Sequence, residues 1–474
     1  MFRKIINISV KMVQRYLPDP FVFAILLTFV AFACAVFVVG ESPMQVVVNW
    51  GNGVWGLLGF AMQMALVLVC GSALADSKVV KSFVKKMASI PKTPVMAIAW
   101  VTMLACIACW INWGFGLIVG AVLAKEVAKQ VKGVDYRLLI ASAYSGFVVW
   151  HAGLSASIPL AMATSGSSLK EVSGGIITEA INISETILAP YNLLLVLLVI
   201  VALTVVNSLM HPNASEAVCI DAGLLRDDEC CDDNTGSEAG DSGSTESSSD
   251  FAAGSGSSSV TSPTPAERFN NSKLLVYLVC LLGFGYLFIN IFINGRSLDL
   301  NSIILLFLML GLLLHRTPAI YVKAITNSAS SAAGILLQFP FYAGIMGIMT
   351  SSSADGISLA GYISEWCVSV ANENTFPILS FLSAGVVNIF VPSGGGQWAV
   401  QGPIMIPAGA QLGVSPAITG MAIAWGDAWT NLIQPFWALP ALAIAKLDAK
   451  DIMGFCLINL VVTGVIICLG FLLL

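Results

Sequence analysis

Residues Val387–Pro403 read VNIFVPSGGGQWAVQGP. They lie inside an apolar region long enough to span a bilayer. Yet they bring together Pro392, Ser393, Gly394, Gly395, Gly396 and Pro403 with the amides Asn388, Gln397 and Gln401. Such a run breaks a helix, and each unpaired N–H or C=O costs several kcal/mol in hydrocarbon. Non-helical chain at membrane depth therefore persists only where protein buries it or where it lines a wet cavity. The segment predicts a site, and the surrounding sequence indicates of what kind.

The chain has 474 residues, 57% hydrophobic and 10% charged, with a mean hydropathy of +0.86. That is too apolar for a soluble globule, and apolar runs of about twenty residues are long enough to cross a bilayer. Candidate spans begin near Phe21, Val54, Pro94, Leu138, Ile187, Lys273, Ser302, Ser328, Pro377, Ser415 and Ile452. Arg3, Lys4, Lys11 and Arg15 precede the first run, which continues without a small-residue cleavage site, so an uncleaved first helix is expected. The net charge of −5 gathers in one linker and gives no support to nucleic-acid binding. Most of the eleven cysteines lie in apolar runs. Cys106 and Cys109 have redox-motif spacing, but in so apolar a helix they read as small packing residues, and no cofactor is implied.

Lys and Arg mark cytoplasmic loops. They cluster before Phe21, at Lys78–Lys92, at Lys125–Arg137, at Arg316 and Lys323, and at Lys446 and Lys450. The spans alternate through these marks only if 94–124 starts and ends inside and 375–410 starts and ends outside. Each is then a re-entrant hairpin. Residues 211–272, rich in Ser, Gly and Asp, read as a disordered cytoplasmic linker. Within it, adjacent Cys230 and Cys231 make a poor metal site. The expected organisation is a first membrane repeat over 1–210, the linker over 211–272, a connecting transmembrane helix over 273–300 and a second repeat over 301–474.

The two halves resemble each other. LLGFAMQMALVLVCG around Gln63 parallels AAGILLQFPFYAGIMG around Gln338, and NWGFG from Asn112 parallels PSGGG from Pro392. AYSGFVVWHAGLSASIPLAMA from Ala143 parallels AWGDAWTNLIQPFWALPALAI from Ala424, with Tyr144–Pro159 and Trp425–Pro440 equally spaced. Matched spans run in opposite directions by the charge marks. The fold expected is therefore all-α and polytopic, with two inverted-topology repeats whose re-entrant hairpins and broken helices meet at mid-membrane.

Four breaks are expected: Asn112–Gly116, Trp150–Ser157, Ser393–Gln397 and Asp427–Gln434. Gly114, Gly116, Gly394, Gly395 and Gly396 let the chain turn and present N–H groups, and the N-terminus of a half-helix suits a carboxylate. Asn112, Ser155, Ser157, Ser393, Gln397 and Asn431 add neutral donors. No Lys or Arg lies in any break, so the site suits one modest anionic group. Trp110, Trp113, Trp150, Trp398, Trp425, Trp429 and Trp437, with Phe115 and Phe436, stand alongside. About half are expected to serve packing or interfacial belts and the rest to enclose a short apolar tail. Asp427 is the one acid in a break and reads as the cation-coupling residue, with Asn388 beside it; neighbouring carbonyls would complete a cage for Na⁺, or a proton would neutralise it. His151 reads first as a core histidine capping the break, with a proton relay as its alternative. Gln63 and Gln338 read as interhelical packing or as bonds to the hairpins.

YLPDPFVFAILLT, WGLLGFAMQMALVL, INWGFGLIVGA, ILLQFPFYAGI, VPSGGGQWAVQGP, QPFWALPALAIA and DIMGFC, in this order, resemble the bacterial short-chain fatty acid transporter family across nearly the whole chain except 211–272. That family is grouped with the ion transporter superfamily. The resemblance implies an inner-membrane carrier of short-chain monocarboxylates such as butyrate and acetoacetate, driven by Na⁺ or H⁺, with an elevator-like motion. A homodimer follows by analogy of fold alone. His151 stands where the family is expected to have a small residue, and the linker is longer than the family leads one to expect.

Two other readings fit less well. A cation/proton antiporter of the same fold would exchange at Asp427, but a single acid serves exchange less plainly than several. A membrane-embedded hydrolase would pair His151 with Ser155, but Gly153 between them weakens the helix that spacing needs. Deleting residues 225–262 is expected to leave transport nearly unchanged, because so polar a segment buries too little apolar surface to fold. Uptake assayed at matched expression checks this, and its loss would give the linker a partner or a gating role.

Overall fold

The computed structural model describes residues 20–212, 217–220, 264–296, 298–351, 358–391 and 393–473. Every regular element among them is helical. Seven helices are long and apolar enough to cross a bilayer, among them Leu58–Ala75, Pro94–Ile111, Pro190–Leu209 and Ala449–Leu472. Their starts follow from local chemistry. Ser42, Thr93, Asp135, Asp299, Thr317 and Ser415 each accept the N–H three residues on, and Pro43, Pro94, Pro318 and Pro416 occupy first turns, where a missing N–H costs nothing.

Two hairpins form where charge alternation requires them. The first joins Pro94–Ile111 to Trp113–Gln130 through Asn112 alone. Small residues line its seam: a Cβ at Gly116 would strike the Cys109 backbone, and one at Gly120 would lie 3.3 Å from Ala105. The second hairpin joins Phe376–Phe390 to Gly394–Gln411. Its arms are tied by hydrogen bonds from Gln397 Nε2 to the Ala384 carbonyl and from Gln401 Nε2 to Ser383 Oγ, each 2.9 Å. At the tips, Asn112 (φ −155°, ψ 123°) and Ser393 (φ −155°, ψ 114°) share one backbone conformation, and each caps the N–H three residues on.

Two broken helices stand against the hairpins. The first runs over Tyr136–Ser145, tightens to a 3₁₀ turn over Gly146–Ala152, breaks, and resumes over Ser157–Met162. The second runs over Pro416–Asn431, breaks, and resumes over Pro435–Ala445. These elements form the interior: 94% of the apolar window in Tyr136–Met162 is buried, against 17% in Lys273–Ile293.

Several expectations change. Asp427 lies inside the helix Pro416–Asn431, so the second broken helix opens only after Asn431. Gly394–Gly396 and Gln397 form the first turn of a helix, and none of these glycines has positive φ. Pro392 lies outside the described residues. So does most of 211–272, including Cys230 and Cys231, but the described edges of that segment are ordered. The Val218 N–H donates to Asp135 Oδ2 (3.0 Å), the Val218 carbonyl accepts from the Tyr136 N–H (2.8 Å), and Pro265–Asn270 is helical behind a Thr264/Glu267 capping box. Cys106 and Cys109 are buried and free, as packing residues would be.

The first broken helix is stitched to the first hairpin at Trp110, whose carbonyl accepts from the Leu154 N–H (2.7 Å) and whose indole donates to the Ala152 carbonyl (3.0 Å). A Cβ at Gly153 would collide with the Trp110 carbonyl. Gly153→Ala is therefore expected to destabilise the protein by about 1–3 kcal/mol, the usual cost of overpacking. Gly59→Ala, where a Cβ meets nothing within 4 Å, is expected to leave the melting temperature in detergent at or above that of the parent.

Candidate functional site

A cavity of about 250 Å³ opens where both hairpin tips and both broken helices converge, roughly eight times the share of one liquid water. Its walls divide by chemistry. One is aromatic: Trp113 lies 5.8 Å from Trp150 and 5.4 Å from Trp437, and Phe147 stacks on Trp150 at 5.7 Å. The other is polar and uncharged, made by Ser157, Ser393, Gln338 and the backbone at Gly394 and Gly395. The first N–H groups of Gly394–Gln411 have no partner within that helix, and its positive end favours an anion. Among the described residues, no Lys or Arg lines the cavity.

The glycine triplet lets this tip sit deep. A Cβ at Gly395 would come within 2.7 Å of Phe60 and 2.9 Å of Phe339, one at Gly396 within 2.5 Å of Tyr342, and one at Gly394 within 2.5 Å of His151. Close approach to rings, rather than an unusual turn, is what requires glycine here.

Directly behind Gly394 lies a buried pair. His151 Nδ1 is 2.7 Å from Asp427 Oδ2, and both side chains are fully buried. His151 Nε2 accepts the Ile158 N–H at 3.1 Å. Since an N–H only donates, Nε2 carries no proton, and the neutral ring donates from Nδ1 to the carboxylate. Asp427 Oδ1 has no hydrogen-bond partner among the described residues. Asn388 Nδ2 donates to the Asp427 carbonyl (2.7 Å) and to Thr430 Oγ1 (2.9 Å), which leaves Asn388 Oδ1 unpartnered.

Of the residues expected to bind substrate, Ser157, Ser393, Gly394 and Gly395 line the cavity. Others of the expected donors hold it together instead. Asn112 Oδ1 accepts the Phe115 N–H at 2.9 Å, and Ser155 Oγ accepts the Trp113 N–H at 3.0 Å. Asn431 Oδ1 accepts the Trp150 indole N–H (3.1 Å), its carbonyl accepts the Tyr144 hydroxyl (2.6 Å), and Gln397 ties its own hairpin. Gly114 packs on Leu68 and Gly116 on Cys109. Trp110, Trp425 and Trp429 donate to the Ala152 carbonyl, Asn192 Oδ1 and the Leu460 carbonyl, so they are structural. Gln63 bonds Asn301 (2.7 Å), whereas Gln338 reaches the cavity. The side chain of Phe436 lies outside the described residues. Phe147 and the Tyr144 brace went unnoticed in the sequence, where nothing distinguishes them from ordinary core aromatics. The hydrolase reading ends here: both nitrogens of His151 are engaged, neither with Ser155.

A helical membrane protein whose hairpin tips and broken helices enclose a small amphipathic cavity has the form of a transporter. The chain belongs to the short chain fatty acid transporter family, whose model matches residues 1–474. It is 42% identical over 470 residues to a protein of Escherichia coli (strain K12), and 42% identical over 476 residues to one of Haemophilus influenzae. Each match covers 99% of both chains, and both proteins are named for short-chain fatty acid transport. Among solved structures it is similar to the YdaH transporter of Alcanivorax borkumensis, with a TM-score of 0.62 and 15% identity over 96% of this chain and 97% of that one. MtrF of Neisseria gonorrhoeae gives a TM-score of 0.52 at 14% identity over 100% and 96%. At such identities these two bear on the fold alone. The family is one of transporters, and enzymatic readings fall away.

Valine at position 395 would drive its side chain into Phe60 and Phe339 and into the cavity. Gly395→Val is expected to abolish binding of a short-chain carboxylate by the purified protein while membrane insertion persists. Retained binding, read by calorimetry, would place the ligand elsewhere.

Proposed function

We propose that this chain is a secondary carrier of small monocarboxylates, of the size of butyrate and acetoacetate, across the bacterial inner membrane, with a cation moving in the same direction. The observation that supports it is the mixed lining of the cavity: an uncharged, N–H-rich tip at Ser393–Gly395 for one carboxylate, together with Trp113, Phe147, Trp150 and Trp437 for a short tail. A dicarboxylate would favour a fixed cation, and none is present in the lining. In this reading the N-terminus and linker are cytoplasmic, and the matched tip geometries at Asn112 and Ser393 reflect inverted repeats. Ser157 assists the carboxylate; Asn112, Ser155, Gln397 and Asn431 keep the tips and breaks in place.

Accumulating a bare anion against an inside-negative potential costs about 2.3 kcal/mol per charge per 100 mV, so the carrier needs a cation. Asp427 and Asn388, with buried unpartnered oxygens, are the residues proposed to hold it.

Equilibrium binding to the purified protein tests the substrate class, since the neutral acid crosses lipid unaided and confuses vesicle assays. From acetate to butyrate, affinity is expected to rise about fourfold per methylene, the effect of burying about 0.8 kcal/mol each. It should then fall once the chain outgrows the cavity. Affinity independent of chain length would remove the aromatic wall from the site, and preference for a dicarboxylate would overturn the reading.

A further inference from the structure

We propose that the cation this carrier moves with its substrate is a proton, held on Oδ1 of Asp427 in the His151–Asp427 pair behind the second hairpin tip; this rests on the carrier reading above. The step is a simple protonation. The Asp427 carboxylate takes up one proton on the side where substrate enters and releases it on the other, so a carboxylate and a proton cross together with no net charge.

The hydrogen bonds decide where that proton goes. His151 cannot accept it without losing a bond, because Nε2 already receives the Ile158 N–H and a second ring proton would point head-on at that donor. Oδ2 of Asp427 is engaged by His151 Nδ1. Oδ1 remains, buried and without a partner, and a proton needs only one lone pair.

A hard metal cation needs several oxygens at once, and the surroundings supply them poorly. Asp427 sits in a continuous helix, where backbone carbonyls are spent on the helix itself, and its own carbonyl also accepts from Asn388 Nδ2. Besides Asp427 Oδ1, the unpartnered amide oxygens Asn388 Oδ1, Gln397 Oε1 and Gln434 Oε1 are what a sodium site would have to use, and sodium is therefore an arm of the test.

Little else on the neighbouring elements titrates. Pro416–Asn431 packs against Phe376–Phe390, Gly394–Gln411, Gly146–Ala152, Ser157–Met162 and Ala449–Leu472. The first, second and fourth carry no titratable side chain, and the third carries only His151. The last carries Lys450 and Asp451 in its first turn, with Cys456 and Cys468 further on. Tyr144 bonds the Asn431 and Gln434 carbonyls. Asp427 is thus an isolated acid with a histidine donor.

The link to substrate is short. The His151 ring lies against Gly394, so one imidazole separates a carboxylate bound at the tip from the Asp427 carboxylate. Two anions that close in a buried site repel each other, and protonating Asp427 relieves the repulsion. Substrate and proton should then bind with reciprocal cooperativity.

Calorimetric titration of butyrate into the purified full-length protein, in two buffers of different ionisation enthalpy, counts protons directly. Across about pH 6 to 9, binding is expected to approach uptake of about one proton per butyrate as pH rises. Affinity should fall about tenfold per pH unit once the free protein has lost its proton, and replacing Na⁺ by K⁺ should change nothing. Asp427→Asn, which keeps an acceptor for His151, is expected to bind butyrate with no proton uptake and no pH dependence. Proton uptake that survives in Asp427→Asn would place the proton on the substrate and overturn the assignment. Binding that follows Na⁺ without proton uptake would also overturn it, in favour of sodium at the amide oxygens. The wild-type proton count decides between proton and sodium even if that variant fails to fold. If no short-chain acid binds at any pH or Na⁺ concentration, the carrier reading fails and this inference fails with it.

Discussion

A chain that reverses direction within hydrocarbon must find partners for the N–H groups it exposes at the turn, and the rest of this molecule depends on how that is done. Asn112 and Ser393 each cap the helix that follows from an extended conformation. A side-chain cap of this kind is worth about 1 kcal/mol in water, and the alternative in lipid is several kcal/mol per orphan group. Because one residue does the capping, the first hairpin turns within a single position. The N–H groups left over at the start of the returning helix are what the second tip offers to the cavity.

Around that offer, glycine and aromatic residues divide the work. Gly394, Gly395 and Gly396 admit His151, Phe60, Phe339 and Tyr342 to distances that any side chain would forbid. The indoles of Trp113, Trp150 and Trp437 line the same cavity. Polar groups are assigned almost wholly to holding protein against protein, as with Ser155 on the Trp113 N–H or Asn431 on the Trp150 indole.

Much of this was legible in the sequence. Glycine, proline and amides inside apolar runs marked both tips, and lysines marked the loops between spans. What failed has one physical origin. Glycine was read as a residue that turns the chain, which is its role in water-exposed loops, whereas between packed helices it permits close approach. Gly426 lies against the Phe381 carbonyl within an unbroken helix, so the break assigned from Asp427 begins only after Asn431. The sorting of polar residues into liners and braces was not legible, since Ser155 and Ser157 differ in role at a spacing of two. Nor was the His151–Asp427 pair, whose members are 276 residues apart and meet only once both broken helices are packed.

The cavity's walls also come from two bodies. Trp113, Trp150 and Gly394 belong to the hairpins and broken helices, while Met64, Leu68 and Gln338 belong to helices Leu58–Ala75 and Ala333–Thr350. Contacts across that boundary put side chains on glycine: Phe60 and Phe339 on Gly395, Tyr342 on Gly396, Leu68 on Gly114 and Asn112 on Gly71. Neither group of helices encloses the cavity alone, so any shift of one against the other would change the cavity's shape.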